Sequence, residues 1–197
     1  LMGCHHAREL MSVEIPLQFA EYLLAQYGTN PQVKALVDSR EIWIVPIVNP
    51  DGYVYVQNNH TGDSTNWWRK NRRNNGNGTF GVDINRNYGY NWGFDNIGSS
   101  PTTSSTIYRG PNAFSEPETQ VVRNFVAARH FTMWLSYHSY SELLLYPWGY
   151  ALDYTTDQET FAKLGERLNA GTGYLVGNPA MGAIYRTNGG SDDWAYG

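Results

Sequence analysis

The pattern of apolar and polar positions predicts four helices. Residues 10–27 repeat apolar positions at intervals of three and four in their later part, which predicts an amphipathic helix with one buried face. The Gly-Thr-Asn-Pro sequence at 28–31 ends this helix, and residues 31–38 predict a short second helix. A capping-box pattern at the start of residues 115–129 opens a third helix. Residues 157–170 predict the fourth.

Two continuous apolar runs predict buried strands. Residues 41–48 form a β-branched run that is followed by an Asn-Pro-Asp-Gly turn at 49–52. Residues 131–137 form the second run, which ends at His138. A continuous apolar run is typical of a strand covered on both faces. The alternation of strands with helices therefore predicts an α/β fold with a largely parallel or mixed sheet.

A long polar segment separates these elements. Residues 58–112 are rich in Asn, Gly and Ser and show little periodicity. A loop of this length within a domain is usually functional. In α/β sheets, ligands bind beyond the carboxyl ends of strands. The polar segment follows one predicted strand and His138 follows the other, so both are candidates for the functional site.

Composition narrows the class of protein. The 197 residues carry 14 Lys and Arg against 18 Asp and Glu, a net charge of −4, and 15% of them are aromatic. The length predicts one domain over residues 1–197, and the aromatic content excludes a disordered chain. The mild acidity argues against a nucleic-acid partner, and no apolar run is long enough to predict a membrane span. One cysteine excludes an internal disulfide.

The two ends of the sequence suggest an internal fragment of a longer protein. The chain opens on Leu1 without an initiator Met, and residues 193–197 read as the start of a helix without a stop signal. No targeting segment is visible. We therefore expect further residues on both sides.

One pair of residues has the spacing of metal ligands. His6 and Glu9 lie three residues apart at a predicted helix start and can offer an imidazole nitrogen and a carboxylate to one cation. Zinc accepts both ligand types, and a catalytic zinc usually takes three protein ligands and one water. His138 is the best candidate for the third ligand. The spacing alone is equally compatible with His6 and Glu9 as ordinary polar residues of a helix start.

Six motifs in order resemble the zinc carboxypeptidases of the carboxypeptidase A/B type. The resemblance runs through nearly the whole chain, and any one of its motifs would be weak alone. Residues 1–11 and 88–93 look closest to secreted bacterial members. The motifs are His-Ala-Arg-Glu at 6–9, Asn-Pro-Asp-Gly at 49–52, Trp-Arg-Lys at 68–70, Gly-Val-Asp-Ile-Asn-Arg-Asn at 81–87, His-Ser-Tyr-Ser at 138–141 and the stretch 184–194.

The resemblance implies a three-layer α/β/α sandwich around a mixed sheet, incomplete in this chain, and one zinc ion (Zn2+). His6, Glu9 and His138 would hold the zinc, and Asp83 would orient the first histidine. The alternative for Asp83 is a turn-forming carboxylate. Arg69 would polarise the scissile carbonyl. Without the resemblance, Arg69 and its basic neighbours would be read as a solvated loop.

The resemblance also implies a grip on the end of a peptide. An arginine suits a terminal carboxylate because its planar fork binds both oxygens. Asp192 falls at the floor of the pocket for the departing side chain, where a carboxylate predicts Lys or Arg as the preferred end. A helix N-cap is the alternative for Asp192, and a helix-start salt bridge is the alternative for Arg8. The implied substrate-binding residues are Arg8, Asn85, Arg86, Ser139, Tyr140, Tyr185 and Asp192.

The implied function is hydrolysis of the C-terminal peptide bond by a secreted or periplasmic monomer. The partners are peptide and protein C-termini, with no membrane. The family's general base, a glutamate, would fall beyond Gly197, so we expect the 197 residues alone to be inactive. Two alternatives stay open: a catalytically silent member that binds peptide C-termini, and a peptidase acting on cell-wall peptides. A structural zinc site is disfavoured, because three ligands flanked by Arg69 and Arg86 would make an open site that attracts anions.

Overall fold

The computed structural model describes residues 1–60 and 66–197. Helices α1 (Met11–Gln26) and α2 (Pro31–Ser39) confirm the first two predicted helices, and they lie in contact. Asn30 caps α2, because its side-chain oxygen accepts hydrogen bonds from two backbone N–H groups of the first turn. The apolar periodicity therefore gives the position of this helix pair correctly.

Helix α3 (Pro50–Asn58) stands where the sequence predicts a turn at 49–52. Asn49 is its N-cap, and Oδ1 of Asn49 accepts a hydrogen bond from the backbone N–H of Gly52 at 3.0 Å. Proline is favoured at the first helical position, which Pro50 occupies. The turn prediction is wrong because the same residue types also form a helix start.

Helices α4 (Pro117–Ala127) and α5 (Gln158–Leu168) confirm the other two predicted helices. Helix α6 (Ser191–Tyr196) confirms the helix start predicted at 193–197 and begins two residues earlier. The predicted capping box before α4 is wrong, since the N-cap residue Glu116 makes no side-chain cap hydrogen bond. Its carboxylate instead accepts a hydrogen bond from Nδ2 of Asn71 at 2.8 Å. Glu116 thus anchors a loop rather than its own helix.

The first residues of the chain lie between the two predicted strands. Met2 forms a parallel bridge with Val45 on one side and with Ser136 on the other. The backbone N–H of Met2 donates to the carbonyl of Leu135 at 2.9 Å, and the N–H of Gly3 donates to the carbonyl of Val45 at 3.0 Å. Three parallel segments therefore meet at Met2. The sequence does not predict this pairing, because residues 1–4 are too few to show a strand pattern.

Regular strands are short in this structure. Within the described residues, the runs 41–48 and 131–137 pair only through single bridges, so the prediction of two full strands is wrong in extent. The regular sheet consists of β1 (Leu143–Leu145) and β2 (Leu175–Gly177), which are parallel with Leu143 opposite Leu175. The predicted α/β class with parallel pairing is confirmed.

The core lies around Met2 and joins segments that are distant in sequence. The close approach of residues 1–4 to α1 requires glycine at position 3, because a Cβ there would lie 1.9 Å from the carbonyl oxygen of Ser12. Phe114, Trp134 and Trp194 pack against the buried core. The buried core residues are Met2, Val48, Ile84, Tyr88 and Val122.

The long polar segment is mostly irregular, as predicted. Its described residues contain one 3-10 helix, Ile84–Arg86, whose N-cap Asp83 accepts a hydrogen bond from the backbone N–H of Asn85. This short helix places three of the candidate site residues side by side. In the chain as described, 1–60 and 66–197, no helix combines the length and apolar character needed to cross a bilayer.

Candidate metal centre

The candidate zinc ligands lie at the ends of parallel backbone segments. His6 and Glu9 occupy the turn between residues 1–4 and α1, where the N–H of Glu9 donates to the carbonyl of His6 at 3.1 Å. His138 follows the segment 131–137, which pairs with Met2. Residues 132 positions apart in sequence are therefore carried to one edge of the fold, as expected for a site beyond the ends of strands.

The three ligand atoms converge on a common point. Nδ1 of His6 lies 2.7 Å from Oε1 of Glu9, and Nδ1 of His138 lies 2.9 Å from Oε2 of Glu9. The two Nδ1 atoms are 3.2 Å apart. All three ligand atoms lie within 4.8 Å of one another. Two imidazole nitrogens and one carboxylate match the donor set of a three-ligand zinc site with one open position.

Burial differs among the three ligands. His6 and Glu9 are buried, whereas the side chain of His138 is 31% exposed, so the cluster is open on the side of His138. Burial, followed by the charge of Arg69, lowers the pKa of His6. Burial alone would raise the pKa of Glu9, but the two histidines hold it below its usual value. A neutral His6 and an ionised Glu9 are the forms that bind a metal.

Asp83 supports the cluster from behind. Its Oδ1 lies 3.3 Å from Nε2 of His6, and its Oδ2 accepts a hydrogen bond from Nε of Arg69 at 2.8 Å. Burial would raise the pKa of the fully buried Asp83, but Arg69 and Arg86 hold it well below its usual value. Asp83 also caps the 3-10 helix, so the turn-forming role that the sequence suggested accompanies its contact with His6. A carboxylate facing the second nitrogen of a metal-binding histidine fixes the ring's orientation and raises its basicity.

Arg69 is not part of a solvated loop. It is 8% exposed, and one of its terminal nitrogens, Nη1, lies 4.0 Å from Oε1 of Glu9. Among its neighbours, Arg72 lies over the ring of Tyr55 at 3.7 Å, and Arg73 pairs with Glu116 at 2.7 Å. The alternative of a solvated basic loop is therefore wrong, because the segment is held by aromatic and carboxylate partners.

The 3-10 helix brings Asn85 and Arg86 next to Asp83. Arg86 is buried, and its Nε donates to the carbonyl of Gly98 at 2.8 Å. Oδ1 of Asn85 accepts a hydrogen bond from the backbone N–H of Ser191 at 3.0 Å, which ties this helix to the start of α6. The 3-10 helix and α6 thus form one wall beside the metal-ligand cluster.

A cleft of about 410 Å³ adjoins His138. Ser139 and Tyr140 line it together with Met11 and Ile15 of α1. Tyr140 is exposed. The cleft therefore lies on the exposed side of the cluster.

The remaining candidate residues near the surface have few partners. Tyr185 is 66% exposed. Arg8 forms no ion pair in the part of the chain that the structure describes, so the predicted alternative of a helix-start salt bridge is not seen there. Its Nη1 donates to the carbonyl of Trp67 at 3.3 Å. Trp67 itself is 64% exposed.

Asp192 is the second residue of α6 and not its N-cap, which is Gly190. The N-cap alternative for Asp192 is therefore wrong. The next residue, Asp193, is buried and accepts hydrogen bonds from the backbone N–H groups of Gly149 and Tyr150 at 2.8 and 2.9 Å. Burial, followed by the charge of Asp192, raises the pKa of Asp193 to about 8. No role was predicted for Asp193, although the pair of adjacent acids that it forms with Asp192 was a visible signal.

Known proteins are similar to this chain along nearly its whole length. A family model described as zinc carboxypeptidase matches residues 1–197. Carboxypeptidase A2 of Rattus norvegicus is 37% identical, covering 97% of this chain and 46% of that protein. Carboxypeptidase B of Astacus astacus is 35% identical, covering 99% of this chain and 64% of that protein. The chain thus spans about half the length of most of these relatives.

A solved structure shares the fold. The crystal structure of thrombin activatable fibrinolysis inhibitor superposes with a TM-score of 0.85 at 31% identity, covering 99% of this chain and 50% of that chain. This agreement confirms the predicted α/β fold class. The likeness to bacterial members finds no support among the animal relatives named above. Since the family model covers all 197 residues and the relatives align along nearly the whole chain, this chain belongs to the zinc carboxypeptidase family.

Proposed function

We propose that this chain is part of a zinc metallocarboxypeptidase that removes one residue from the C-terminus of a peptide. The observation that carries the proposal is the convergence of His6, Glu9 and His138 within 4.8 Å, with Asp83 facing the other nitrogen of His6. One zinc ion per chain fits this donor set. Zinc in such a site supplies Lewis-acid polarisation of a carbonyl and a bound water of lowered pKa.

The neighbouring cations suit the charges of this reaction. Arg69 is held by Asp83 and lies 4.0 Å from Glu9, so its guanidinium is a fixed positive charge beside the reacting carbonyl. A preorganised cation stabilises a developing oxyanion more than it stabilises the ground state. Asn85 and Arg86 bind the substrate's terminal carboxylate in this proposal, and exposed Tyr185 closes over it.

The other proposed substrate contacts rest on the position of the cleft and on the resemblance to the family. In this proposal Arg8, Ser139 and Tyr140 contact the peptide, and Ser139 and Tyr140 line the cleft beside His138. The substrates are peptide or protein C-termini, and a secreted or periplasmic monomer is the proposed form. Bovine thrombin-activatable fibrinolysis inhibitor has been solved in complex with tick carboxypeptidase inhibitor, so one structural relative binds a carboxypeptidase inhibitor.

The test of the proposal is hydrolysis by a longer protein that contains these residues and matches its relatives over their full length. We expect release of single C-terminal residues, loss of release after treatment with a zinc chelator, and recovery when zinc is restored. Stoichiometric zinc without hydrolysis of any peptide would favour the silent peptide-binding member. Activity that survives complete removal of metal would contradict the proposal.

The 197 residues by themselves are expected to be inactive. In residues 1–60 and 66–197, the carboxylates paired with His6 or His138 are Glu9 and Asp83, and both are already engaged. A missing general base costs at least about 100-fold in rate. The measurement is the rate on a C-terminal Arg or Phe peptide for this chain and for the longer protein. Equal rates for the two would show that the base lies within these residues.

Asp192 is proposed to select a basic C-terminal residue. A partly buried carboxylate is costly unless it is paired, and the side chain of Lys or Arg supplies that pair. In the longer enzyme we expect kcat/KM to favour Arg and Lys over Phe and Leu, and Asp192→Ile to reduce that preference by about tenfold or more. The assay compares kcat/KM for matched peptides before and after the substitution.

An acid outside the pocket provides the control for this test. Asp157 is exposed to solvent in part and bonds the hydroxyl of Tyr196. The Asp157→Asn variant should keep the wild-type preference. A preference for Phe in the unmodified enzyme, or an unchanged ratio after Asp192→Ile, would exclude Asp192 as the residue that determines specificity.

A further inference from the structure

A row of four hydrogen-bonded polar side chains runs from His138, the exposed histidine of the metal site, into the core. Nε2 of His138 lies 3.1 Å from Oγ of Ser136, and Oγ of Ser136 lies 3.3 Å from Nδ1 of His5. Nε2 of His5 lies 2.9 Å from the hydroxyl of Tyr88. His5 and Tyr88 are fully buried, so their polar atoms depend on these contacts. The ring of His5 also stacks on that of His138, with centroids 5.5 Å apart and planes at 28°.

The direction of these hydrogen bonds follows from the metal site. Nδ1 of His138 is the atom that converges with His6 and Glu9, so it must keep its lone pair free for an ion. The one proton of the neutral ring is then on Nε2, which donates to Ser136. The hydroxyl of Ser136 in turn donates to Nδ1 of His5. His5 must then carry its own proton on Nε2 and donate it to Tyr88.

We propose that His5 is a positioning residue, which acts through Ser136 to hold His138 in the tautomer and orientation that bind the metal. The inference rests on the proposed metal site and assigns a task to three residues outside it. Every ring keeps one proton and every hydroxyl keeps its own, so no group changes its charge. Burial lowers the pKa of His5 well below its usual value, which agrees with a neutral ring.

The physical need for such support is specific to His138. His6 is buried and faces Asp83, whereas the side chain of His138 is 31% exposed and has no carboxylate at its second nitrogen in the described residues. An imidazole held on one side only can flip, which exchanges the ligand nitrogen. Partners behind metal ligands typically account for 10–100-fold in metal affinity. The hydrogen-bonded row through Ser136 and His5 is the support that the structure provides for the ring of His138.

The first experiment reads the tautomer of His5 directly. In zinc-loaded protein labelled with 15N-histidine, long-range proton–nitrogen correlation spectra separate protonated from unprotonated ring nitrogens. We expect His5 to carry its proton on Nε2 and His138 to carry its proton on Nε2. A spectrum that places the proton of His5 on Nδ1 would overturn the inference, since Ser136 could then no longer donate to it.

The second experiment measures zinc affinity by competition with a chelator. Ser136→Ala interrupts the hydrogen-bonded row next to His138, and Tyr88→Phe removes the hydroxyl at the buried end of the row. Each variant should weaken zinc binding by about 10–100-fold. Ser136→Thr keeps a hydroxyl and should restore most of the affinity. Tyr146→Phe is the matched control, because Tyr146 is also buried. Its hydroxyl accepts a hydrogen bond from Gln158 and takes no part in the hydrogen-bonded row.

The outcomes separate this inference from the proposed function. A wild-type protein that binds no zinc contradicts the proposed metal site. A wild-type protein that binds zinc, together with a Ser136→Ala variant of equal affinity, contradicts only the positioning role. Unfolding by urea without metal checks stability, and a loss of zinc affinity in a variant of wild-type stability supports the inference.

Discussion

Replacing Glu9 by Gln should abolish stoichiometric zinc binding while leaving the backbone of the site in place. The carboxylate lies 2.7 Å from Nδ1 of His6 and 2.9 Å from Nδ1 of His138, so it is the one anion between the two imidazoles. Glutamine keeps the shape but removes the charge that a zinc ion needs. Since residues behind a ligand already account for 10–100-fold, we expect the loss of the ligand to exceed about 100-fold.

The measurement is the zinc dissociation constant from chelator competition, with metal content checked by atomic emission. Glu14→Gln is a matched control, because Glu14 is an exposed acid in the first turn of the adjacent helix α1. That variant should bind zinc as tightly as the unmodified protein. An unchanged affinity in Glu9→Gln would mean that the ion binds elsewhere.

Replacing Asp83 by Asn should destabilise the fold strongly, whether or not metal is present. Asp83 is fully buried and lies 2.8 Å from Nε of buried Arg69, with Arg86 as a second cation nearby. Removing one partner leaves buried positive charge without compensation, which typically costs about 3–5 kcal/mol. We expect the free energy of unfolding in urea to fall by about that amount at neutral pH.

The pH dependence of stability provides a second readout for Asp83. Its pKa is held well below the usual value in the folded state, so its stabilising effect is complete above the unfolded pKa of about 4. That effect is lost as the pH falls through the lower folded pKa. The unmodified protein should therefore lose stability in acid more steeply than Asp83→Asn does.

An exposed ion pair supplies the control for Asp83. Asp38 lies 2.7 Å from Nζ of Lys34 on the surface of α2, and exposed pairs contribute little. Asp38→Asn should leave unfolding in urea unchanged within error. Equal stability of Asp83→Asn and the unmodified protein would show that Arg69 and Arg86 do not depend on this carboxylate.

The fold was predictable wherever local pattern decides the structure. The periodicity of residues 10–27 predicts α1 because a helix with one buried face needs that spacing. The runs 41–48 and 131–137 were recognised as buried extended segments, but their pairing partner, residues 1–4, was not. Pairing depends on segments more than 40 positions apart, and no local pattern carries that information.

In the candidate site, too, local pattern predicted some residues and missed those whose role depends on distant contacts. His6 and Glu9 were visible as a spaced pair, and His138 as the end of an apolar run. Ser115 and Glu118 were misread as a capping box, because the sequence does not reveal that the N-cap is Glu116, whose carboxylate is bound by Asn71 and Arg73. The role of Glu116 is set by tertiary contacts that override a local motif.

The placement of Met2 between two distant segments has a consequence for how the protein folds. Its bridges to Val45 and Ser136 close loops of 43 and 134 residues, and the bridge to Ser136 brings the segments of His6 and His138 together. Contacts of such long sequence separation slow folding, because chain entropy is lost before they form. The metal-binding edge is therefore expected to be among the last parts of the molecule to assemble during folding.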